Sequence, residues 1–146
     1  MTQPKELKTI TVAPAEERFR EFREQAYTFS RSVSKDFHFE HDPSKTVELN
    51  VQLTKAVFGK WSIEILVTLY SLKSAGFEEL RKDLGTISSR VLSHKLRVLE
   101  ERKLVKREII DSRPPRSNYK LTEKGLTAAS LGEPVLLYLR WTENIV

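Results

Sequence analysis

The chain has 146 residues, a net charge of +5 and no cysteine. Its length fits a single domain with a self-supporting core. The lack of cysteine excludes disulfides, thiolate zinc sites, thiol catalysis and a cysteine redox switch within the chain. No apolar run reaches the roughly 20 residues that a membrane span needs, and the N-terminus lacks the apolar core of a signal peptide. We therefore expect a soluble, cytoplasmic protein that contacts no membrane.

The positive charge is concentrated in one segment. Between Arg81 and Lys124, thirteen Lys and Arg residues stand against six Asp and Glu, which gives this segment a net charge of +7 and leaves −2 for the remainder. Such a segment favours a surface that faces a polyanion. The alternative is an ordinary solvated charged face.

The N-terminal region is predicted to be a mobile arm, residues 1–13, followed by one amphipathic helix. Pro14 suits the first turn of a helix, because the N–H that it lacks would have no partner there. The helix is expected to run from Pro14 to Phe29, and Arg31 to Pro43 to form a connection. Its apolar face needs a partner from the same subunit or from another one. The residues of this face are Phe19, Phe22, Ala26 and Phe29.

Two apolar helices and a loop are predicted next. One helix should run from Lys45 to Phe58 and end at Gly59. The following helix begins at Trp61 and is apolar on most sides, so it is expected to be the central core helix. Ser71 to Gly76 is predicted to be a loop.

A helix-turn-helix is predicted from the spacing that follows. It comprises a short helix from Phe77 to Leu84, a tight break at Gly85-Thr86, and a helix from Ser88 to Arg102. The last helix combines an apolar stripe with an opposite polar face. The predicted buried stripe is Ile87, Val91, Leu92, Leu96 and Leu99. The predicted polar face is Ser88, Ser89, Arg90, Ser93, His94 and Arg97.

A helix with one apolar face and one opposite polar face suits the major groove of duplex DNA, where the base edges present distinguishable donors and acceptors. Serines and free backbone N–H groups at its N-terminus can hold a phosphate. Arg90 and Arg97 suit either guanine or phosphate, and the sequence leaves both open. His94 is a base contact, a phosphate contact or a bystander.

A β-hairpin with a basic tip is predicted to follow. The strands are Leu104 to Ile110 and Ser117 to Leu121, and the prolines between them suit neither a helix nor a sheet interior. Arg113 and Arg116 at this tip suit the DNA backbone or minor groove. Further phosphate contacts are predicted for Lys106, Arg107 and Lys120.

Thr122 is predicted to cap a last helix, broken near Gly132-Glu133-Pro134. The fold class is therefore mainly α with a small β-hairpin wing (α+β), that is, a winged helix-turn-helix with additional N- and C-terminal helices. Three regions are expected: an N-terminal arm and helix (1–43), the winged domain (44–125) and a C-terminal helix (126–146).

Four motifs in this order resemble the HxlR-type regulators, winged-helix proteins of bacteria and archaea related in architecture to the MarR group. They lie in GKWSIEILVTLY (59–70), GFEELRKDLGTISSRVLSHKLRVLEERKLVKRE (76–108) and PPRSNYKLTEKG (114–125). These contain a Gly-Lys-Trp opening, an Ile-Ser-x-Arg-x-Leu segment, a Pro-Pro wing and a Tyr-x-Leu-Thr-x-x-Gly exit. The resemblance covers roughly Val47 to Gly125.

The resemblance implies a homodimer that binds a pseudo-palindromic operator on double-stranded DNA, at the nucleoid. It also implies dimerisation through the terminal helices, in agreement with their apolar faces, and any small-molecule effector would bind between the core and these helices. The predicted dimer residues are Phe19, Phe22, Phe29, Leu136, Leu139 and Trp141. Many relatives carry a cysteine where Glu48 stands here, so its sensing chemistry does not transfer, and the N-terminal extension is longer than usual.

Other functions find less support in the sequence. No nucleophile–base pair, phosphate-cradling glycine loop or plausible metal cluster is present, so no enzyme and no cofactor is predicted. His38 and His41 lie near acidic residues, but no predicted helix or strand organises them as metal ligands. Trp61 is expected to pack in the core or an interface more than to line an effector pocket. The alternative function is a non-specific or architectural DNA-binding protein, which would coat DNA through phosphates alone.

Overall fold

The computed structural model describes residues 14–36 and 42–145. They belong to two compact units, Met1–Asp42 and Pro43–Val146. The architecture is mainly helical with a small antiparallel sheet, as predicted. The three regions expected from the sequence stay a prediction.

The first unit contains helix α1, Ala15–Asp36, which continues beyond the predicted end at Phe29. The prediction of a connection from Arg31 onward is therefore wrong for the residues up to Asp36. A side-chain contact between residues four apart stabilises the added turns, since Arg31 donates to the Tyr27 hydroxyl at 3.0 Å. The predicted arm and the two histidines at 38 and 41 lie outside the described residues.

The second unit begins with helix α2, Pro43–Val57, and the core helix α3, Ser62–Leu72. Helix α3 buries Ile65, Leu66 and Leu69, as expected of a central helix. It includes Ser71 and Leu72, so the loop predicted from Ser71 begins later. Trp61, just before α3, is partly buried against the core.

The predicted helix-turn-helix is present as α4, Phe77–Leu84, and α5, Ser89–Glu101. Gly85 closes α4 with a φ of 75°, a left-handed conformation that glycine adopts without steric cost. The buried side of α5 is Leu92, Leu96 and Leu99. Val91 was predicted to be buried and is 37% exposed, because at 3.6 residues per turn it lies about 100° round the helix from the buried Leu92, beside the stripe and not in it.

The wing belongs to a three-stranded sheet in the order β1-β3-β2. Strands β2, Val105–Ile110, and β3, Arg116–Leu121, form the predicted hairpin. Strand β1 is Ala75–Gly76, within the predicted loop, where it pairs antiparallel with β3 opposite Tyr119. Two residues are too few to show a strand period, so this strand could not be predicted.

Helix α6 runs unbroken from Glu123 to Thr142, so the predicted break near Pro134 is wrong. A proline inside a helix removes one backbone hydrogen bond and costs about 3 kcal/mol. The neighbouring residue is held from outside the helix, since the Tyr70 hydroxyl of α3 donates to the Glu133 carboxylate at 2.7 Å. This contact fixes α6 at the point where its own ladder is weakest.

Candidate nucleic-acid interface

The polar side of α5 is exposed along the length of the helix. Arg90, Ser93, His94 and Arg97 are all exposed, while the leucines on the opposite side are buried. An open concavity of about 710 Å³ lies along this face. It is lined by Arg90, Val91, Ser93, His94, Lys95 and Arg97. Val91 and Lys95 were not predicted as part of this surface; they lie on the side of α5 next to the buried stripe.

The two serines at the start of α5 have different surroundings. The hydroxyl oxygen of Ser88 accepts a hydrogen bond from the Val91 N–H at 3.2 Å, which makes Ser88 the N-cap of the helix. Ser89 is the first helical residue and is exposed. The Ser88 oxygen therefore stabilises the start of α5, and the hydroxyl hydrogen can still be donated to an anion.

The arginines of α5 differ in how they are held. Arg97 Nη2 lies 3.3 Å from His94 Nδ1, which restricts the orientation of the Arg97 guanidinium. Within residues 14–36 and 42–145, the Arg90 side chain forms no ion pair or hydrogen bond. Both guanidiniums keep N–H groups that can bind a base edge or a phosphate.

The wing tip is shaped by local contacts. The Ser112 hydroxyl donates to the Pro114 carbonyl at 2.8 Å, and the Arg113-Pro114 peptide is cis. Arg113 and Arg116 are exposed, and neither forms an ion pair with another described residue. The tip thus presents two exposed guanidiniums.

The lysines of the wing are paired with a carboxylate that the sequence analysis did not connect with them. Lys120 Nζ lies 2.7 Å from Glu108 Oε1, and Lys106 Nζ lies 3.5 Å from the same oxygen. The hydrogen bond from Lys120 lowers the pKa of the Glu108 carboxyl, and Lys106 contributes in the same direction. Lys106 and Lys120 are direct cross-strand neighbours, and Glu108 is on the same face of its strand. The register, which the sequence alone did not supply, would have revealed this triad.

Arg107 is also engaged inside the hairpin. Its Nε donates to the Ser117 hydroxyl at 2.8 Å across the two strands. The cations of the wing therefore fall into two groups: those paired with side chains of the hairpin strands, and the two arginines near the tip.

The structure explains the threonine and the glycine of the Tyr-x-Leu-Thr-x-x-Gly motif, Thr122 and Gly125. Thr122 caps α6 by accepting from the Gly125 N–H at 3.1 Å, and its own hydroxyl donates to the Lys103 carbonyl at 2.5 Å. A Cβ on Gly125 would stand 2.0 Å from the Leu104 carbonyl oxygen. These residues join α6 to the start of the wing and do not lie on the exposed face of α5.

The residues predicted for dimerisation carry exposed apolar surface. Phe22 and Phe29 on α1 are 47% and 64% exposed, and Leu139 on α6 is 44% exposed. Leu136 and Trp141 on α6 are also exposed, whereas Phe19 is partly buried.

No helix in residues 14–36 and 42–145 is long and apolar enough to cross a membrane. The same part of the chain holds no group of three or more His, Asp or Glu that could bind a metal ion.

A short helix, a tight turn, a second helix with an exposed basic face and an antiparallel wing together define a winged helix-turn-helix protein. The chain belongs to the HxlR-like helix-turn-helix family, whose model matches residues 56–144. The resemblance inferred from the sequence motifs is thus confirmed.

Two curated relatives match this region. An uncharacterised HTH-type transcriptional regulator of Halalkalibacterium halodurans is 39% identical over 69 residues, which is 47% of this chain and 61% of the relative. The uncharacterised HTH-type transcriptional regulator YdeP of Bacillus subtilis is 38% identical over 87 residues, 59% of this chain and 64% of the relative. The chain thus spans less than two thirds of the length of either relative.

Solved structures share the fold over a larger part of the chain. A protein of Enterococcus faecalis V583, described as a MarR-family transcriptional regulator, superposes with a TM-score of 0.54 at 29% identity, over 73% of this chain and 92% of that one. The redox regulator HypR, in its oxidised form, gives a TM-score of 0.53 at 34% identity, over 66% and 97% of the two chains. The family and these relatives are regulators with a DNA-binding fold, as predicted, and not enzymes.

Proposed function

We propose that this chain is a transcriptional regulator that binds a pseudo-palindromic DNA operator as a homodimer. The observation that carries the proposal is the exposed basic face of α5 beside the two arginines of the wing, in a chain of the HxlR-like helix-turn-helix family. In this function α5 enters the major groove and the wing contacts the adjacent backbone or minor groove.

The proposed contacts follow from the surroundings of each side chain. Ser88 and Ser89 bind a phosphate at the N-terminus of α5, where free N–H groups favour an anion. Ser93 and His94 face the groove between the two arginines. Arg113 and Arg116 hold the wing on the DNA, and Lys106 and Lys120 contribute less than free cations because they share Glu108.

The proposed homodimer uses the exposed apolar residues of the terminal helices. Two α5 helices related by a two-fold axis would enter successive major grooves about 34 Å apart. The effector site between the core and the terminal helices, and a location at the nucleoid in the cytoplasm, remain predictions that depend on this function.

The test is an equilibrium titration, read by fluorescence anisotropy, with the full chain and the DNA upstream of its own gene. Duplexes selected by the protein from a random library serve as a second source of sites. We expect saturable binding that persists in excess random duplex. We also expect Arg90→Ala to weaken it at least fivefold, the lower end of a loss of about 1–3 kcal/mol. Arg20→Ala on α1 is the matched control, because it removes the same charge from a helix outside the helix-turn-helix and the wing, and it should leave the affinity within twofold.

The outcomes separate the functions. Equal affinity for selected and random duplex, with a steep salt dependence, would favour the architectural alternative. The absence of binding to any duplex at low salt would refute the proposal. The titration also distinguishes the two arginines of α5: replacing a base-contacting arginine relaxes sequence preference at one position, and replacing a phosphate-contacting arginine weakens all sequences alike.

A further inference from the structure

Helix α1 lies outside the region that the family model matches, and its apolar residues follow a seven-residue repeat. With Phe19 assigned to position a, every position a and d up to Val33 is apolar. Tyr27 is the one other apolar residue of the helix. The seam is, in order, Ala15, Phe19, Phe22, Ala26, Phe29 and Val33.

A seam restricted to a and d is narrow. A helix that packs on a globular core normally shows a wider apolar stripe, with position e or g added. In α1 positions e and g are all polar or charged, among them Glu16, Arg18 and Arg23. The pattern therefore fits one partner helix lying alongside, as in a coiled coil, better than it fits a broad surface. No residue of α1 is buried within the described structure.

From this seam we infer that α1 pairs with the α1 of a second copy of the chain, as an antiparallel two-stranded coiled coil. The inference rests on the proposed homodimer and specifies which surfaces of the two copies meet. It also assigns a register to the two helices: the residue numbers of an a or d position and of the position that it faces in the second copy add up to 48.

The side-chain sizes favour the antiparallel arrangement. In this register Phe22 faces Ala26 of the second copy, Phe19 faces Phe29, and Ala15 faces Val33. Each alanine thus meets a larger residue. A parallel pair would place Ala15 on Ala15 beside one layer of paired phenylalanines, and Ala26 on Ala26 between two such layers. The paired alanines would leave voids that cores do not tolerate well.

The charges favour the same arrangement. In a parallel pair, position g of one helix lies beside position e of the next heptad of the other, so Arg18 would meet Arg23 twice. The antiparallel pair has a single such contact, between Arg23 and its own copy on the two-fold axis. Arg23 is already ion-paired with Glu24 at 3.1 Å, which reduces that repulsion.

The antiparallel pair also suits a two-fold symmetric DNA site. At about 1.5 Å of rise per residue, the two copies of Asp36, where the helices end, would be about 36 Å apart. The two chains would therefore leave the pair at opposite ends. In a parallel pair both chains would continue from the same end of the coiled coil.

The test uses the absence of cysteine from the full chain. The variants are Ala15→Cys, Val33→Cys and the double variant, each treated with a short bis-maleimide crosslinker. In the assigned register the double variant should form covalent dimers in high yield. Neither single variant should, because the two copies of residue 15 would be about 27 Å apart along the axis, and so would those of residue 33. Adding Phe22→Asp to the double variant should abolish the crosslink, whereas the matched control Thr28→Asp, on the polar side, should retain it.

Sedimentation and the DNA titration on the same variants separate this inference from the proposed function. A dimer that binds DNA but gives no crosslink in the double variant would overturn the pairing of α1 and leave the proposed function intact. Efficient crosslinking of Ala15→Cys alone would show a parallel pair and also overturn it. A monomer at all concentrations would refute both the pairing and the homodimer, while DNA binding would be judged by the titration alone.

Discussion

Glu108 is expected to restrain the affinity of the wing for DNA, because one carboxylate holds two ammonium groups there. Lys120 is 2.7 Å and Lys106 is 3.5 Å from the same oxygen. The substitution Glu108→Gln keeps the shape of the side chain and removes its charge. Both lysines then become available to phosphates.

The size of the effect follows from counterion release. Each added phosphate contact steepens the dependence of log K on log salt by about 0.9. If only the net charge matters, Glu108→Gln should steepen the slope by about 0.9 per subunit, and if both lysines bind phosphate, by about 1.8 per subunit. In both cases the affinity for DNA at low salt should rise, because the wing has lost a negative charge. The free energy of unfolding should change little, because the ion pairs are exposed to solvent.

The assay is the anisotropy titration on one duplex across a salt series from 50 to 200 mM, the interval in which such slopes are commonly compared. Glu101→Gln on α5 is the matched control, since it changes the net charge equally without releasing a lysine. Equal slopes for the two variants would show that net charge alone acts. A slope unchanged from the unsubstituted chain would refute the role given to Glu108.

Three further predictions concern stability, measured by thermal and urea unfolding. Gly125→Ala should destabilise the fold by at least about 1–3 kcal/mol, because its Cβ would lie 2.0 Å from the Leu104 carbonyl oxygen. Gly132→Ala, in open space on the same helix, should be neutral or stabilising. Ser88→Ala should cost about 1 kcal/mol through loss of the α5 cap, and Ser88→Asp should keep that stability yet weaken DNA binding. Burial raises the pKa of Tyr119 above 10.0, so the folded state favours the neutral phenol. The contribution of Tyr119 to the free energy of unfolding should be fully present below pH 10 and be lost as the pH rises beyond it. The decline should be smaller in Tyr119→Phe. An unchanged free energy of unfolding in Gly125→Ala or Ser88→Ala would contradict the packing or the capping assigned to that residue. An alkaline loss of stability that is as large in Tyr119→Phe as in the unsubstituted chain would contradict the role of Tyr119.

The elements with a strong periodic signal could be predicted from the sequence. The first helix of the helix-turn-helix could be predicted because Phe77, Leu80 and Leu84 recur at helical spacing. The second could be predicted from Leu92, Leu96 and Leu99, and Gly85 marks the turn between the two. The exposed face of α5 followed from the same periodicity, since the side opposite a buried stripe must face outward.

Features that depend on contacts between distant residues could not be predicted in this way. Strand β1 exists because Ala75 pairs with Tyr119, and α6 continues through Pro134 with Tyr70 holding Glu133. Neither partner can be read from the local pattern.

The sequence by itself determined the winged helix-turn-helix, its family and the basic face of α5, because periodicity, turn residues and charge are local properties of the chain. The tertiary structure decided which of the cations are free. Strand register places Lys106 and Lys120 around Glu108 and leaves Arg113 and Arg116 exposed near the tip. The physical reason is that electrostatic pairing depends on distance in space, and that distance is set only when the strands meet.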